Sequence, residues 1–335
     1  MKQSASSISI PSSFFEGNDY LELYRAHFDR NFPSDVQLAK EDQIALFHGM
    51  IPLSDWLQTK IPLPAIAVSF WGDPTTDFFP ETCDWKELPD AELTNLITKI
   101  TGRAQQRKSW AVIVKDLPLG HSIEPFLFNE GFIPVAHEPI WYMKAPENLE
   151  SYLAQLSRTR RKGLKTSWRK FCNEVRVRMA TPADLDFIKT SYDNVWNRAA
   201  MRLEKLTEEF FRATFVHPNC QIFIFEKNAT PFAFVMLWKK DNIWFDKYMG
   251  TDKTVYREMS FYSMSILYLL QRAPDYGIDW YVAGQGAGKE KKGLRFTPVQ
   301  TRLWIKPLML RWLTTPLLKR FLSVHDKRVQ TFAEG

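Results

Sequence analysis

Hydrophobic residues in the first half of the chain alternate between short apolar runs and longer stretches with helical spacing. The run from 65 to 71 (AIAVSFW) is apolar at almost every position, which is typical of a buried strand. Between residues 90 and 107, Leu93, Ile97 and Ile100 recur at three- and four-residue intervals, which predicts a helix with one buried face. The same reasoning predicts a helix over 18–32 and strands over 44–51, 110–115 and 133–144.

The second half of the chain repeats this plan. Strands are predicted over 175–179, 221–226, 231–239, 243–249 and 279–282. Thr181 followed by Pro182 is typical of a helix N-terminus, and the apolar stretch 259–271 predicts a buried helix. A long helix over 148–171 connects the halves. We therefore predict an α/β protein made of two α/β halves of similar size, joined by this helix.

The connecting helix contains a strongly basic segment. Residues 158–170 (RTRRKGLKTSWRK) hold seven positive charges and no acidic residue. Like charges three or four residues apart on a helix repel each other, so the segment is either a solvated helix face or a contact for an anion. The second reading is favoured because an anion would relieve the repulsion. Arg160, Arg161 and Lys162 are the candidate phosphate contacts, since arginine can bind phosphate through two parallel hydrogen bonds.

A glycine-rich turn follows the last of these strands. The sequence 281–305, YVAGQGAGKEKKGLRFTPVQTRLWI, passes from an apolar run through glycines to a lysine cluster. Such a turn exposes backbone N–H groups at a strand end, and Lys289, Lys291 and Lys292 add positive charge beside them. The arrangement suits an anion or a developing oxyanion, although a plain structural turn is the alternative. Its glycine spacing matches neither a P-loop nor a dinucleotide-binding fingerprint.

Composition narrows the class of protein without selecting a function. The 335 residues are 45% hydrophobic and 24% charged, which is typical of a globular protein large enough for two domains. The sequence has no apolar run long enough for a membrane span and no secretory signal, so we expect no integral membrane association. Three separated cysteines and the lack of HxH or HExxH spacing predict a cytoplasmic location and no metal site. A net charge of +6 favours a phosphate-bearing or acidic partner.

Three segments of the second half carry motifs that occur together in one known family. In residues 151–170 (SYLAQLSRTRRKGLKTSWRK) a Leu-Ser step leads into an Arg/Lys-rich helix. KYMG at 247–250 is followed by YREMSFY at 256–262, which places a glutamate four residues before a tyrosine. Residues 283–301 contain a Gly-Gln-Gly, lysines, a Gly, a Phe and a Pro-Val step. Together these segments resemble the FemAB-like branch of the GNAT acyltransferase superfamily, in which two GNAT folds stand in tandem. The resemblance implies an α/β fold of two GNAT-like domains, each a mixed twisted sheet flanked by helices.

The resemblance implies a division of the chain into GNAT-like domains over 1–146 and 173–306, joined by the basic helix 147–172. Basic amphipathic helices over 307–335 complete the chain, and Pro316 predicts a break between them. This last segment would dock on a membrane surface or a carrier protein, or pack against the body of the protein.

Acyl transfer to an amine requires that the amine lose a proton and that the carbonyl be polarised. The resemblance implies Glu258 as the base, because partial desolvation beside an apolar helix would raise its pKa; the alternative is that it caps the helix N-terminus. Tyr262 would donate to the leaving group or line the acyl channel, or simply pack in the core. Tyr248 would face the acyl group, and either Lys289 or Lys291 would stabilise the transition state.

The remaining site residues are expected to bind the two substrates. Donor phosphates are assigned to Gln285, Gly286, Gly288, Lys291, Lys292, Arg160, Arg161 and Lys162, and the substrate pocket to Trp141, Tyr142 and Asp246.

The predicted function is an N-acyltransferase with no covalently bound cofactor. Its donor would be a thioester of coenzyme A or an acyl carrier protein, and its acceptor an amine of a small molecule or peptide. One alternative is an aminoacyl-tRNA-dependent transferase. Another is a non-catalytic tandem domain that binds peptide or nucleic acid through the basic helix.

Overall fold

A computed structural model describes residues 19–20, 23, 37–39, 44–52, 65–71, 88–198, 205–251 and 260–309. Its helices are α1 (Asp90–Gln106), α2 (Glu124–Asn129), α3 (Leu149–Ala154), α4 (Arg158–Glu174), α5 (Leu185–Arg198), α6 (Glu208–Thr214), α7 (Phe261–Arg272) and α8 (Gly288–Gly293). Short 3₁₀ turns lie at Pro182–Asp184 and Ala273–Tyr276. Most of the predicted helix at 18–32 and the predicted segment after residue 309 lie outside the described residues.

The strands form two mixed sheets. They are β1 (Gln37–Ala39), β2 (Ile44–Pro52), β3 (Ala65–Trp71), β4 (Ala111–Pro118), β5 (Ile133–Ala136), β6 (Ile140–Lys144), β7 (Val175–Met179), β8 (Cys220–Lys227), β9 (Thr230–Lys240), β10 (Ile243–Thr251), β11 (Trp280–Gly284), β12 (Thr297–Val299) and β13 (Thr301–Pro307). The predicted α/β architecture, with helices flanking two mixed sheets, is confirmed.

Among the described strands, each sheet contains one parallel pair, and a helix lies between the two strands of that pair in the chain. The first sheet has the order β1-β2-β3-β4-β13-β5, and its parallel pair is β3 and β4 with α1 between them in the chain. The second has the order β12-β6-β11-β10-β9-β8-β7, and its parallel pair is β10 and β11 with α7 between them. A parallel connection needs a crossover helix, whereas the antiparallel neighbours β9 and β10 need only the predicted hairpin.

The two sheets exchange strands, which the sequence did not predict. The expected single strand over 133–144 is two strands: β5 pairs with β13 in the first sheet, and β6 pairs with β11 and β12 in the second. Pro139 lies between them and cannot donate a hydrogen bond to either sheet. In return β13, which follows the second sheet in the chain, pairs with β4 and β5. The domain boundaries proposed at residues 146 and 306 therefore follow the order of the chain but do not separate the two sheets, because each sheet contains a strand from the other half.

The connecting helix is also divided. The expected helix over 148–171 consists of α3 and α4, and Ser157 caps the second by accepting a hydrogen bond from the Arg160 backbone N–H at 3.4 Å. Serine favours this position because its side chain competes with the backbone for hydrogen bonds and so starts helices more readily than it continues them. The basic residues consequently begin at a helix N-terminus.

Two apolar clusters cover the two faces of the second sheet. One contains Phe245 and Val282 of that sheet together with Phe70 and Ile113 of the first sheet, so it is shared between the sheets. The other packs α3, α4 and α7 against Trp244, Tyr281 and their neighbours. Gly250 is required where α5 crosses β10, because an added Cβ would lie 2.3 Å from the Phe234 ring and 2.7 Å from Ser191. This glycine is the one in the KYMG motif.

Ion pairs connect β7 to the short turn that precedes the N-terminus of α5. Arg178 donates two hydrogen bonds to the Asp184 carboxylate at 2.7 Å and one to Glu226 at 2.7 Å. Asp184 also accepts from the backbone N–H of Thr181, the predicted helix cap, at 2.8 Å. Arg178 is the main cause that lowers the pKa of Asp184 to about 2.

Candidate active site

The candidate site lies where the parallel strands β10 and β11 separate. The two strands pair from Ile243 and Trp280 as far as Phe245 and Val282. Beyond this point β10 continues only with β9, through a bulge between Asp246 and Tyr248, and β11 continues only with β6. Separation of two parallel strands opens a gap in the sheet, where a substrate carbonyl could be bound and polarised.

A tyrosine and an aspartate meet at the start of this gap. The Tyr281 hydroxyl donates a hydrogen bond to Oδ2 of Asp246 at 2.8 Å. Tyr281 is fully buried, and burial, followed by the charge and hydrogen bond of Asp246, raises its pKa well above the usual value. Tyr262 of α7 is a further electrostatic neighbour of this hydroxyl. The structure thus brings together the predicted Asp246 and Tyr262 with Tyr281, which was not predicted as a site residue.

The glycine-lysine turn, residues 284–292, is held together by a buried lysine. Gly284 and Gly286 have φ values of 63° and 74°, in the left-handed region that glycine adopts without strain. Lys291 is 1% exposed, and its Nζ donates to the carbonyls of Ala283, Gly284 and Gln285 at 2.6, 2.9 and 2.8 Å. Only the charged ammonium carries three hydrogens for three acceptors. Lys291 therefore fixes the turn, in contrast to its predicted part in donor binding.

The turn is also attached to the first sheet. The Gln285 side-chain N–H₂ donates to Oδ1 of Asp116 at 2.7 Å and to the Glu138 carbonyl at 3.1 Å. The Gly286 backbone N–H donates to the Glu138 carboxylate at 2.9 Å. Both groups were expected to bind donor phosphate, but in this structure their hydrogens are directed to the first sheet and to the loop before β6.

Asp116 is the centre of this attachment. It occupies a bulge in β4, has a φ of 55° and is 1% exposed. Its carboxylate accepts hydrogen bonds from Lys115, from Nδ1 of His137 at 2.7 Å and from Gln285. Burial acts to raise the pKa of Asp116, but Lys115 and His137 outweigh it and lower the pKa below its usual value. The carboxylate is therefore charged although it is buried.

The short helix α8 presents its other lysines to solvent. Lys289 and Lys292 are exposed, whereas Gly288 lies against the Trp141 indole, 3.3 Å from the position that a Cβ would take. Trp141 is 8% exposed, so its indole supports the turn from below and does not line an open pocket. The exposed ammonium groups of Lys289 and Lys292 are the cations of this segment that an anionic donor can reach.

The basic helix α4 begins beside the same turn. The Arg160 guanidinium lies 3.4 Å from the position of a Cβ on Gly293, at the end of α8. The buried Nε of Arg160 has no hydrogen-bond partner among the described residues. The neighbouring chain segments are joined by the Tyr152 hydroxyl, which donates to the Leu294 carbonyl at 2.6 Å. The structure therefore brings Arg160 to the glycine-lysine turn, and phosphate contact there stays a prediction.

The neighbours of Arg160 are used differently. Arg161 donates to the Ala154 carbonyl at 2.9 Å and so closes the step between α3 and α4. Lys162 is exposed. A phosphate bound at Arg160 would thus lie at the junction of α4 with α8, with Lys162 one turn from its N-terminal end.

Two other predicted residues are not part of this group, and a third lies outside the described residues. Tyr248 lies on the opposite face of the sheet, where its ring meets Tyr192 at 5.9 Å and Phe210 at 6.1 Å. Tyr142 is 4% exposed in the same cluster, and burial raises its pKa. Glu258 lies outside the described residues.

Within the described residues no helix has the length and apolar composition of a bilayer span. The described parts of the chain also contain no group of three His, Cys, Asp or Glu side chains placed to hold a metal ion.

Residues 158–292 match the family model described as an acetyltransferase (GNAT) domain. This match begins at the first residue of α4 and ends within α8, so it contains both the basic helix and the gap between β10 and β11. A comparison with curated protein sequences found no match.

Solved structures extend the similarity to nearly the whole chain. FemX has 11% identity and a TM-score of 0.56, and the alignment covers 91% of this chain and 98% of FemX. L-PGS from Bacillus licheniformis has 12% identity and a TM-score of 0.56, with 92% and 98% covered. The C-terminal domain of a proposed lysylphosphatidylglycerol synthetase from Agrobacterium fabrum has 10% identity and a TM-score of 0.55, with 94% and 96% covered. At these identities the likeness is one of fold.

Proposed function

We propose that this chain, which belongs to the GNAT superfamily of acyltransferases and has the two-sheet fold of FemX, transfers an acyl group from a thioester to an amine. The family match confirms the predicted superfamily and enzyme class. The observation that carries the substrate proposal is the gap between β10 and β11, which lies beside the glycine-lysine turn and the Arg160 end of α4. In this region the gap between the strands would take the neutral thioester carbonyl, and the cations Arg160, Lys289 and Lys292 would bind the phosphates of its carrier.

The donor is assigned to coenzyme A or an acyl carrier protein, both of which carry phosphate beside the thioester arm. Arg160 has a buried Nε without a partner among the described residues, and Lys289 and Lys292 are exposed on α8. These cations would bind the phosphates, while the thioester arm enters the gap. Charge-assisted hydrogen bonds to phosphate are about twice as strong as neutral ones, so a few contacts suffice to orient the donor.

The reaction then requires one new bond and one broken bond. The neutral amine nitrogen attacks the thioester carbon, the C–N bond forms, and the C–S bond breaks as the tetrahedral intermediate collapses. The amine nitrogen loses a proton and the departing sulfur gains one. Glu258, outside the described residues, stays the predicted base, and Tyr262 stays a candidate for protonating the leaving group.

The test is a turnover screen of the full-length chain. Acyl-CoAs of increasing chain length and acyl carrier protein would be incubated with amine acceptors, and amide products and free thiol would be quantified by mass spectrometry. We expect thiol release only when donor and acceptor are both present. We also expect Lys289→Ala to raise the donor KM, whereas Lys99→Ala on α1, an exposed lysine outside the site, leaves it unchanged. Absence of turnover with every thioester would exclude the proposal.

A second donor, an aminoacyl-tRNA, is favoured by one specific observation. Helix α4 carries the basic run that would contact nucleic acid. Turnover with charged tRNA but not with thioesters would select this donor. A KM that rises steeply with salt would then report release of counterions from the RNA. Binding to RNA or peptide with no turnover by any donor would select the non-catalytic alternative.

A further inference from the structure

The pair formed by Asp116 and His137 has the geometry of an oriented proton acceptor. Nδ1 of His137 lies 2.7 Å from Oδ1 of Asp116. A charged carboxylate can only accept hydrogen bonds, so Nδ1 carries the hydrogen and donates it to Asp116. Nε2 of Gln285 also lies 2.8 Å from Nδ1, but its two hydrogens are directed to Asp116 and to the Glu138 carbonyl, so this approach is a contact and not a hydrogen bond. The bond to Asp116 fixes the tautomer of the neutral ring and leaves Nε2 of His137 as the nitrogen that can accept a proton.

Nε2 of His137 has no hydrogen-bond partner among the described residues, and the side chain is 18% exposed. Asp116, by contrast, is 1% exposed and is bonded to Lys115, His137 and Gln285. The buried carboxylate therefore orients a ring that is itself partly open to solvent.

The pair borders the same turn as the proposed donor site. Gln285, whose Nε2 is 2.8 Å from Nδ1 of His137, follows β11 directly. β6 runs antiparallel to β11, with Trp141 opposite Gly284, so the loop that carries His137 lies over the end of β11. The gap between β10 and β11 is on the other side of that strand. A donor in the gap and an acceptor approaching from the first sheet would therefore meet at the turn.

We infer that His137, oriented by Asp116, is the residue that takes the proton from the acceptor amine. This inference rests on the proposed function. An ammonium acceptor loses one proton to Nε2, and the neutral nitrogen attacks the thioester carbon. Collapse of the intermediate breaks the C–S bond, the second proton goes to the sulfur, and the histidine returns its proton to water. The charged groups around the ring are Asp116, which it contacts, Lys115, which bonds to Asp116, and Glu138, the next residue in the chain, whose carboxylate accepts from the Gly286 N–H.

The experiment compares His137→Gln with Glu258→Gln in the full-length chain. A positioned general base typically contributes about 10²–10⁴-fold, so we expect His137→Gln to lower kcat by about 100-fold or more with little change in the donor KM. His121→Gln, at another half-buried histidine, is the matched control. In a His137→Gly variant we expect added imidazole to restore part of kcat in a saturable manner. A histidine that only braces the turn would give no such rescue.

A chemical readout is independent of turnover. Diethyl pyrocarbonate modifies accessible imidazole nitrogens, so we expect rapid carbethoxylation of His137 by peptide mass spectrometry, and slower reaction in the presence of a saturating amine acceptor. Resistance of His137 to the reagent would overturn the inference.

Full activity of His137→Gln in an active wild-type background would overturn the inference while leaving the proposed function intact. A wild-type chain inactive with every donor would overturn both. A large loss in Glu258→Gln with none in His137→Gln would assign the base to Glu258.

Discussion

Replacement of Lys291 by methionine is the sharpest test of how the candidate site is built. The ammonium donates to three backbone carbonyls of the turn and is 1% exposed. Hydrogen bonds to a charged group contribute about 1.5–3 kcal/mol each, a net value that already includes desolvation of the bonded groups. The three bonds share one buried ammonium, whose burial costs several kcal/mol, so their contributions do not add in full. We therefore expect Lys291→Met to lower the free energy of unfolding by about 3 kcal/mol.

This loss is measurable by thermal unfolding. The usual entropy of unfolding per residue gives about 0.7 kcal/mol per kelvin for a single cooperative unit of this length, so Tm should fall by about 4 °C. Methionine matches the length and flexibility of the lysine stem but has no N–H groups. Urea unfolding at constant pH would give the same difference from the transition midpoints.

Lys292→Met is the matched control, since the neighbouring lysine is exposed on the same short helix. We expect it to leave Tm within about 1 °C, because isolated exposed charges contribute little to stability. Equal Tm values for the two variants would refute the reasoning. A raised donor KM with unchanged stability in Lys291→Met would instead return Lys291 to its predicted role in donor binding.

Three further predictions address packing, pH and donor binding. Gly250→Ala should destabilise the protein by about 1–3 kcal/mol or prevent folding, because the added methyl would lie 2.3 Å from a ring carbon of Phe234. Gly163→Ala is the control: no atom lies within 4 Å of the methyl that it adds, so it should not destabilise the protein. Asp184 has a pKa of about 2 against an ordinary 3.8, so its stabilisation is complete above pH 4 and is lost as pH falls toward 2. Asp184→Asn should therefore cost about 2 kcal/mol at pH 7 and progressively less in urea titrations at pH 4 to 2. Arg160→Ala should raise the donor KM at least tenfold in steady-state assays, and Lys162→Ala should have the smaller effect because Lys162 is fully solvated.

Local structure could be predicted where residue periodicity determines it. The spacing of Leu93, Ile97 and Ile100 fixes one buried face of α1, and all three are at most 2% exposed. Thr181 caps the 3₁₀ turn that leads into α5 through its contacts with Asp184, as its position before Pro182 predicts. These features depend on neighbours within one or two turns, so a single sequence contains the information.

The strand exchange could not be predicted in the same way. The residues of β5, β6 and β13 are apolar strand formers, and backbone hydrogen bonds are the same for every residue. Hydrophobic pattern shows that a segment is a strand but not which sheet receives it. Only Pro139 indicated that the run 133–144 is divided.

The roles of the site residues depended on long-range geometry. The sequence placed Lys289, Lys291 and Lys292 together as one basic cluster, but the helical turn buries one and exposes two. The contact of Tyr281 with Asp246 requires the register of two parallel strands whose residues are 35 positions apart. Charge and spacing predicted where the cations lie in the chain, whereas the fold decides which of them a ligand can reach.

The exchanged strands make the candidate site a property of both sheets. β6 provides Trp141 beneath Gly288, and the loop before it provides the Glu138 contacts to the turn. β4 provides Asp116, which accepts a hydrogen bond from Gln285 at the end of β11. Since β13 and β6 each leave one half of the chain for the sheet of the other, separating the halves would unpair both strands and expose the shared cluster around Phe245 and Phe70. The glycine-lysine turn is therefore shaped from the first sheet as much as from the second.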